Sequence, residues 1–228
     1  VTLYESTDKL GGNMRLAAYP PGKGDISNMI RSYIVRCQKA GVKIVMNQEA
    51  DLDLVKAEKP DAVVVSTGSK TLILPIEGID NPAIIHGSDL LDGKRAAGKK
   101  VLVVGGGMVG CETAAFLGEQ EHDVTVIEFR DTVGADVIHE HRVYLMKDFE
   151  DYGIKEITGA KVCKFYEDGV EYETADGVRH ESRGYDSVIL SMGFRNYNPL
   201  EEKIKDLVPE THVIGDAIRA RRRSEERR

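Results

Sequence analysis

Cysteine is scarce in this chain, with three in 228 residues: Cys37, Cys111 and Cys163. An odd, widely spaced set makes no disulfide framework. No C-x-x-C occurs, which excludes a paired redox dithiol, and four thiolates for an iron–sulfur cluster or a structural zinc are also lacking. Three buried or half-buried thiols in a reducing cytoplasm are the expectation. No apolar run approaches the ~20 residues that span a bilayer, so no membrane partner is expected. Positive charge is not in excess: 31 Lys and Arg stand against 38 Asp and Glu, a net charge of −7. A general nucleic-acid binder would carry a basic footprint instead. No signal or transit peptide is expected, because the chain opens, without an initiator Met, on the strand-like run Val1-Thr2-Leu3-Tyr4. A chain that starts mid-strand is expected to be a fragment. No tandem repeat of fixed period is evident.

What is present is an ordinary globular composition, 41% hydrophobic and 30% charged, long enough for one large domain or two small ones. Residues 26–40 read as an amphipathic helix, with Met29, Ile30, Tyr33, Ile34 and Cys37 on one face, Asp25 or Ser27 as cap and Gly41 as stop. A short strand is expected at 42–46, and a buried strand ending in a turn over 61–68. A connection from 69 to about 98, punctuated by Pro75, Gly78, Pro82, Gly87 and Gly93, reads as an inter-domain linker. A strand at 101–104, a helix at 108–120 and a strand at 124–128 make a βαβ unit. A helix over 136–152 follows. Residues 160–182 read as short strands turned at Asp168-Gly169 and Asp176-Gly177. Further strands are expected at 187–192 and 211–217. The last ten residues hold six arginines and read as a solvated helix end rather than a phosphate-binding arm.

One motif carries chemistry. Gly105-Gly106-Gly107-Met108-Val109-Gly110 satisfies G-x-G-x-x-G between a strand and a helix. Gly105 permits the tight turn, Gly107 admits a pyrophosphate close to the backbone, and Gly110 lets the helix pack on the strand. The amides of Met108 and Val109 open the helix, where anions are favoured. Glu128 ends the second strand and is placed to accept hydrogen bonds from an adenosine ribose. Its charge would repel a 2′-phosphate, which favours NADH over NADPH, although Arg130 nearby could reach such a phosphate. Asp92-Gly93-Lys94 and Gly98-Lys99-Lys100 lack the P-loop spacing, and an ATPase reading is discarded.

In order along the chain, these segments resemble the C-terminal half of the NADH:flavin oxidoreductases related to old yellow enzyme, the family of 2,4-dienoyl-CoA reductase, 2-enoate reductase and trimethylamine dehydrogenase. Residues 1–5 resemble the second strand of a first, FAD-binding unit, with Glu5 in a ribose-binding role. Leu10-Gly11-Gly12-Asn13 resembles the loop that follows it. Ser66-Thr67-Gly68 resembles the turn into the NAD domain, and Ser191-Met192-Gly193-Phe194 the return turn. Val213-Ile214-Gly215-Asp216 resembles the motif whose Asp binds the flavin's ribityl chain.

The resemblance implies an α/β fold of two Rossmann-like FAD/NAD(P)-binding domains of the pyridine nucleotide-disulfide oxidoreductase type, the first incomplete at its N-terminus. The expected domains are 1–97 (FAD type), 98–195 (NAD(P)-binding) and 196–228 (return segment). NAD is the expected cofactor, with FAD in the full-length protein. The family's first phosphate loop lies upstream of Glu5, which weighs against tight FAD binding by this chain. The implied function is to dock NADH and pass a hydride to a flavin, for an enoate or enoyl-CoA bound in an upstream flavin-bearing barrel. The alternative is a non-catalytic adenine-dinucleotide module. A glutamate-synthase-type electron-input subunit would bring cysteine clusters, which are missing here. No acid, base or nucleophile is singled out. Glu112 is either a nicotinamide-polarising residue or an ordinary helix Glu. His139 and His141 lack a third ligand, so no metal is expected.

Overall fold

The computed structural model describes residues 1–220, so the expectation for the arginine-rich tail falls, beyond residue 220, outside the described residues. The chain forms two compact units. One comprises Val1–Ala18, Gly24–Lys70 and the segment from Phe194 on; the other comprises Tyr19–Lys23 and Thr71–Gly193.

The first unit begins with β1 (Thr2–Tyr4), α1 (Gly12–Leu16), α2 (Asp25–Lys39), β2 (Lys43–Val45), α3 (Leu52–Glu58) and β3 (Ala62–Val65). The chain leaves this unit through β4 (Ser69–Thr71). Strands β1 and β2 pair in parallel, Leu3 opposite Ile44. The apolar stripe of α2 sets its length, and Gly41 at φ 73° follows its end. Its N-cap is Gly24, without a side-chain cap; Asp25 sits in the first turn, where a carboxylate suits the helix dipole. In α3 a side chain does cap: the Asp51 carboxylate accepts the Leu54 N–H at 2.8 Å.

The second unit carries β5 (Ile85–His86), α4 (Gly87–Leu91), β6 (Lys100–Val104), α5 (Met108–Glu119), β7 (Asp123–Ile127), α6 (His139–Asp151), β8 (Lys155–Ile157), β9 (Lys161–Tyr166), β10 (Gly169–Glu173), β11 (Arg179–Ser182) and β12 (Ser187–Leu190). Five strands form a parallel sheet in the order β5-β12-β6-β7-β8. The other three form an antiparallel sheet, β11-β10-β9. Val101 and Val103 point into one core, against Cys111, Ala114, Ala115 and Leu117 of α5. Leu102 and Val104 point into another, against Phe165 and Val170 of the antiparallel sheet. Both faces of the parallel sheet are thus covered, which is why β6 and β12 read as unbroken apolar runs rather than alternating ones.

The segment expected to be a linker is partly structured. Within it, β5 joins the parallel sheet beside β12 and α4 follows at once, with Ile84, Ile85, Leu90 and Leu91 buried. Two apolar pairs suffice to anchor it, because burying each such side chain is worth about 1.5–3 kcal/mol.

The chain then re-enters the first unit through β13 (Phe194–Asn196), α7 (Glu201–Ile204) and β14 (Glu210–Val213). Strand β14 pairs in parallel with β3, Val213 opposite Val65. Val55, Val65, Leu200, Ile204 and Val208 form a small core there. Among the described residues no helix is long and apolar enough to cross a membrane.

Candidate functional site

The glycine turn is built by crowding. Gly105 has φ 106°, a left-handed backbone that disfavours side chains, and a Cβ on it would lie 2.5 Å from the Ser191 carbonyl oxygen. Its N–H continues the sheet by donating to the Ile127 carbonyl at 2.9 Å. A Cβ on Gly110 would lie 1.7 Å from the Gly105 carbonyl oxygen, so only glycine lets α5 start this close to β6. Gly107 caps α5 in extended conformation, and Met108, Val109 and Gly110 form the first turn. Amides of a first turn have no intrahelical acceptor.

Glu128 follows β7 and is buried. Its Oε2 accepts the Gly106 N–H at 2.6 Å and its Oε1 accepts the Arg130 N–H at 2.9 Å. The acid is thereby locked to the middle of the glycine turn. At the same sheet edge, His86 Nδ1 at the end of β5 and Ser191 Oγ just past β12 are buried without hydrogen-bond partners among the described residues. Ligands of open parallel sheets bind at this C-terminal edge.

Three contacts beside the turn were not anticipated. Asp136, read only as a helix start, lies before α6, and its Oδ1 accepts the Met108 N–H at 2.8 Å. Glu112, on α5, is buried; its carboxylate accepts from Lys23 Nζ and pairs with His141 Nε2 at 3.1 Å. His141 therefore faces a carboxylate. Cys111 is buried with its thiol donating to the Gly106 carbonyl, and burial pushes that thiol up to about 12.

In the first unit, Thr67, Gly68, Gly12, Gly215 and Asp216 fall around one turn. The Thr67 hydroxyl donates to the Tyr197 carbonyl, and the Gly68 carbonyl accepts the Tyr197 N–H at 2.9 Å. Ser69 Oγ donates to Asp216 Oδ2 at 3.0 Å, and Asn13, next to Gly12, donates to the Ser69 carbonyl at 3.1 Å. Gly215, at φ 60°, starts the short 3-10 turn that carries Asp216. Glu5 is apart from this group: its Oε1 accepts the Thr7 N–H and hydroxyl, both at 2.8 Å. In the second unit, Gly193 (φ 98°) follows Met192, whose Cα would meet a Cβ on Gly105 at 3.2 Å.

The residues at the turn fit an adenine dinucleotide: no Cβ obstructs the loop, first-turn amides head a twelve-residue helix, and a carboxylate fixed on the turn follows the second strand of the βαβ unit. The first unit's cluster has polar groups for a ribityl chain, but the sequence holds a single G-x-G-x-x-G, so a second pyrophosphate cradle of that kind is not encoded in it.

A parallel sheet with this turn at the head of a crossover helix defines the Rossmann-like nucleotide-binding class. The chain belongs to the pyridine nucleotide-disulphide oxidoreductase family, an FAD- and NAD(P)-binding family whose pattern matches residues 5–212. It is 33% identical over 223 residues to an NADH oxidase of Thermoanaerobacter brockii, covering 95% of this chain and 34% of the relative. It is 29% identical over 220 residues to a cinnamate reductase of Clostridium sporogenes, covering 95% and 32%. Among solved structures, a 2-naphthoyl-CoA reductase in complex with 2-naphthoyl-CoA superposes with a TM-score of 0.91 at 32% identity, over 97% of this chain and 34% of that one. The chain thus spans about one third of the length of these relatives. They agree with the resemblance to the NADH:flavin oxidoreductases read from the sequence.

Proposed function

We propose that this chain is the NADH-docking, electron-input portion of a flavin-dependent oxidoreductase. In this reading the NAD(P)-binding domain expected at 98–195 is the second unit, which also takes in residues 71–97 of the segment expected in the FAD-type domain, and the first unit, with residues from 194 on, is the FAD-type domain. The observation that supports it is the lock between acid and turn: Glu128 holds the Gly106 N–H, and in this reading the same carboxylate meets the ribose diol. A bound reduced nicotinamide supplies a hydride and a flavin accepts it. The chain's own part is positioning. Gly105, Gly107 and Gly110 let the pyrophosphate close to the backbone, and the Met108 and Val109 amides face it. Glu128 favours a ribose hydroxyl over a 2′-phosphate, so NADH is the preferred donor. In the same reading Gly12, Thr67, Gly68, Gly215 and Asp216 of the first unit serve the flavin, Glu5 takes a separate ribose-binding role, and Gly193 belongs to the return turn. The relatives' names support an enoate or enoyl-CoA as substrate, bound outside these residues in an upstream barrel, and a cytoplasmic setting belongs to the same reading.

Calorimetry with NADH and NADPH tests this. The wild type binds NADH more tightly. Glu128→Ala weakens NADH about tenfold, the worth of one hydrogen bond to a charged group, and narrows the NADH/NADPH ratio. An unchanged ratio removes Glu128 from the ribose site. A flavin absorbance near ~450 nm in the purified protein supports the electron-input role. A colourless chain that still binds NADH favours the non-catalytic module.

A further inference from the structure

We propose that Asp136 is a built-in competitor for the phosphate position at the head of α5, and that its carboxylate sets how tightly the site takes a dinucleotide. This rests on the dinucleotide reading above and adds a control to it. Asp136 Oδ1 accepts the Met108 N–H at 2.8 Å. Both of its carboxylate oxygens lie 3.5 Å from where a Cβ on Gly107 would be. The room left by the missing side chain of Gly107, the room a pyrophosphate needs, is therefore bordered by an anion of the protein itself.

The placement is not that of a loose surface side chain. The loop bearing Asp136 is pinned on the glycine turn by the Gly134 N–H, which donates to the Gly106 carbonyl at 2.6 Å. The Val137 N–H closes the loop on the Gly134 carbonyl at 3.0 Å, and Val133 and Val137 are buried beneath it. Arg142 of α6 ties down its start through the Thr132 hydroxyl at 2.9 Å and the Val133 carbonyl at 3.1 Å. Asp136 is only half-buried, so its side chain can swing to solvent while the backbone stays fixed.

A phosphate oxygen and the Asp136 carboxylate want the same amide, and two anions so close repel each other. Binding a dinucleotide then requires displacing Asp136. Glu128 differs, because a carboxylate at the ribose attracts hydroxyl donors and competes with nothing. Without the dinucleotide, Asp136 serves the helix as an anion at its N-terminus, so the head of α5 stays satisfied in either state.

The test uses the intact chain with Asp136→Ala and Asp136→Asn, titrated by calorimetry with NADH, ADP and adenosine. Removing a competing anion at a helix N-terminus tightens NADH and ADP about tenfold in Asp136→Ala and by a smaller factor in Asp136→Asn, whose neutral amide still accepts from Met108. Adenosine, lacking phosphate, binds all three proteins alike. Asp136→Asn keeps the shape of the side chain and serves if the alanine variant unfolds. NADH affinity unchanged or weaker in both variants, with NADH binding by the wild type still sensitive to Glu128→Ala, overturns the role of Asp136 and leaves the dinucleotide site standing. No NADH binding by any variant overturns both. A parallel gain for adenosine also refutes phosphate competition.

Discussion

Replacing Gly110 with alanine is expected to break the join between α5 and β6. The added Cβ would sit 1.7 Å from the Gly105 carbonyl oxygen and 2.8 Å from its carbonyl carbon, well inside the 3.0 Å that real Cβ atoms keep. Both of those atoms are backbone, so no rotamer change relieves the clash. The neighbouring backbone is also held: the Gly105 N–H is bonded to Ile127, and the Ser191 carbonyl lies 2.5 Å from where a Cβ on Gly105 would be. Relief must come from lifting α5 off the sheet, which opens the core of Cys111, Ala114, Ala115 and Leu117. Overpacking of this kind costs about 3 kcal/mol, and in a chain of this length it lowers the melting midpoint by roughly 6–12 °C. Gly107→Ala is the control. Its backbone is ordinary for any residue, and its Cβ would meet only the Asp136 carboxylate, at 3.5 Å. It should melt near the wild type but bind NADH more weakly, because its methyl lies where the phosphates approach. Circular dichroism melts and NADH calorimetry on the two variants check this. A Gly110→Ala midpoint within about 2 °C of the wild type would refute the crowding argument.

What could be read from the sequence was local or periodic. The run Val101–Val104 is apolar at every position because both faces of the sheet are covered, and the glycines that follow have fixed spacing. The turns at Asp168 and Asp176 carry their own signal, and both close antiparallel pairs. Short elements escaped. The strand β8 is the three-residue edge Lys155-Glu156-Ile157, with no pattern long enough to see. The strand β5 offered two residues among glycines and prolines, and its strand character comes from pairing with β12. The same split runs through the site. Gly105, Gly107, Gly110 and Glu128 are related by a spacing that one βαβ unit dictates. Asp136 reaches Met108 from 28 residues away, and Lys23 reaches Glu112 from 89. Such contacts depend on how loops pack over the sheet, which no local pattern encodes.

Two predictions remain. The Cys111 thiol is raised from 9.0 to about 12 in the folded protein, chiefly by burial. Ellman's reagent at pH 8 should therefore reach the half-buried Cys37 and Cys163 but not Cys111 until denaturant is added. The sign for stability follows. Above about pH 9 the unfolded chain loses this proton while the folded one keeps it, so stability is full below pH 9 and falls as pH rises toward 12. Urea melts at pH 8 and 10.5 check the direction, and a Cys111→Ala variant that shows the same loss removes Cys111 as its source. The second prediction concerns the buried Glu112, which two nitrogen partners share: Lys23 from the loop before α2 and His141 from α6. A buried carboxylate stripped of every partner costs 3–5 kcal/mol. Both partners are partly exposed, with side chains 21% and 31% accessible, so solvent screens each pair and lowers that figure. Losing one partner leaves the other in place, and Lys23→Ala or His141→Ala alone should cost about 1 kcal/mol. Losing both leaves the carboxylate without either, and the double variant should cost about 1 kcal/mol more than the sum of the single losses. A double-mutant cycle by urea denaturation measures this coupling. Losses that add within about 0.3 kcal/mol would show that the two partners do not share Glu112, and that the cluster is two independent surface contacts rather than one buried charge held from two sides.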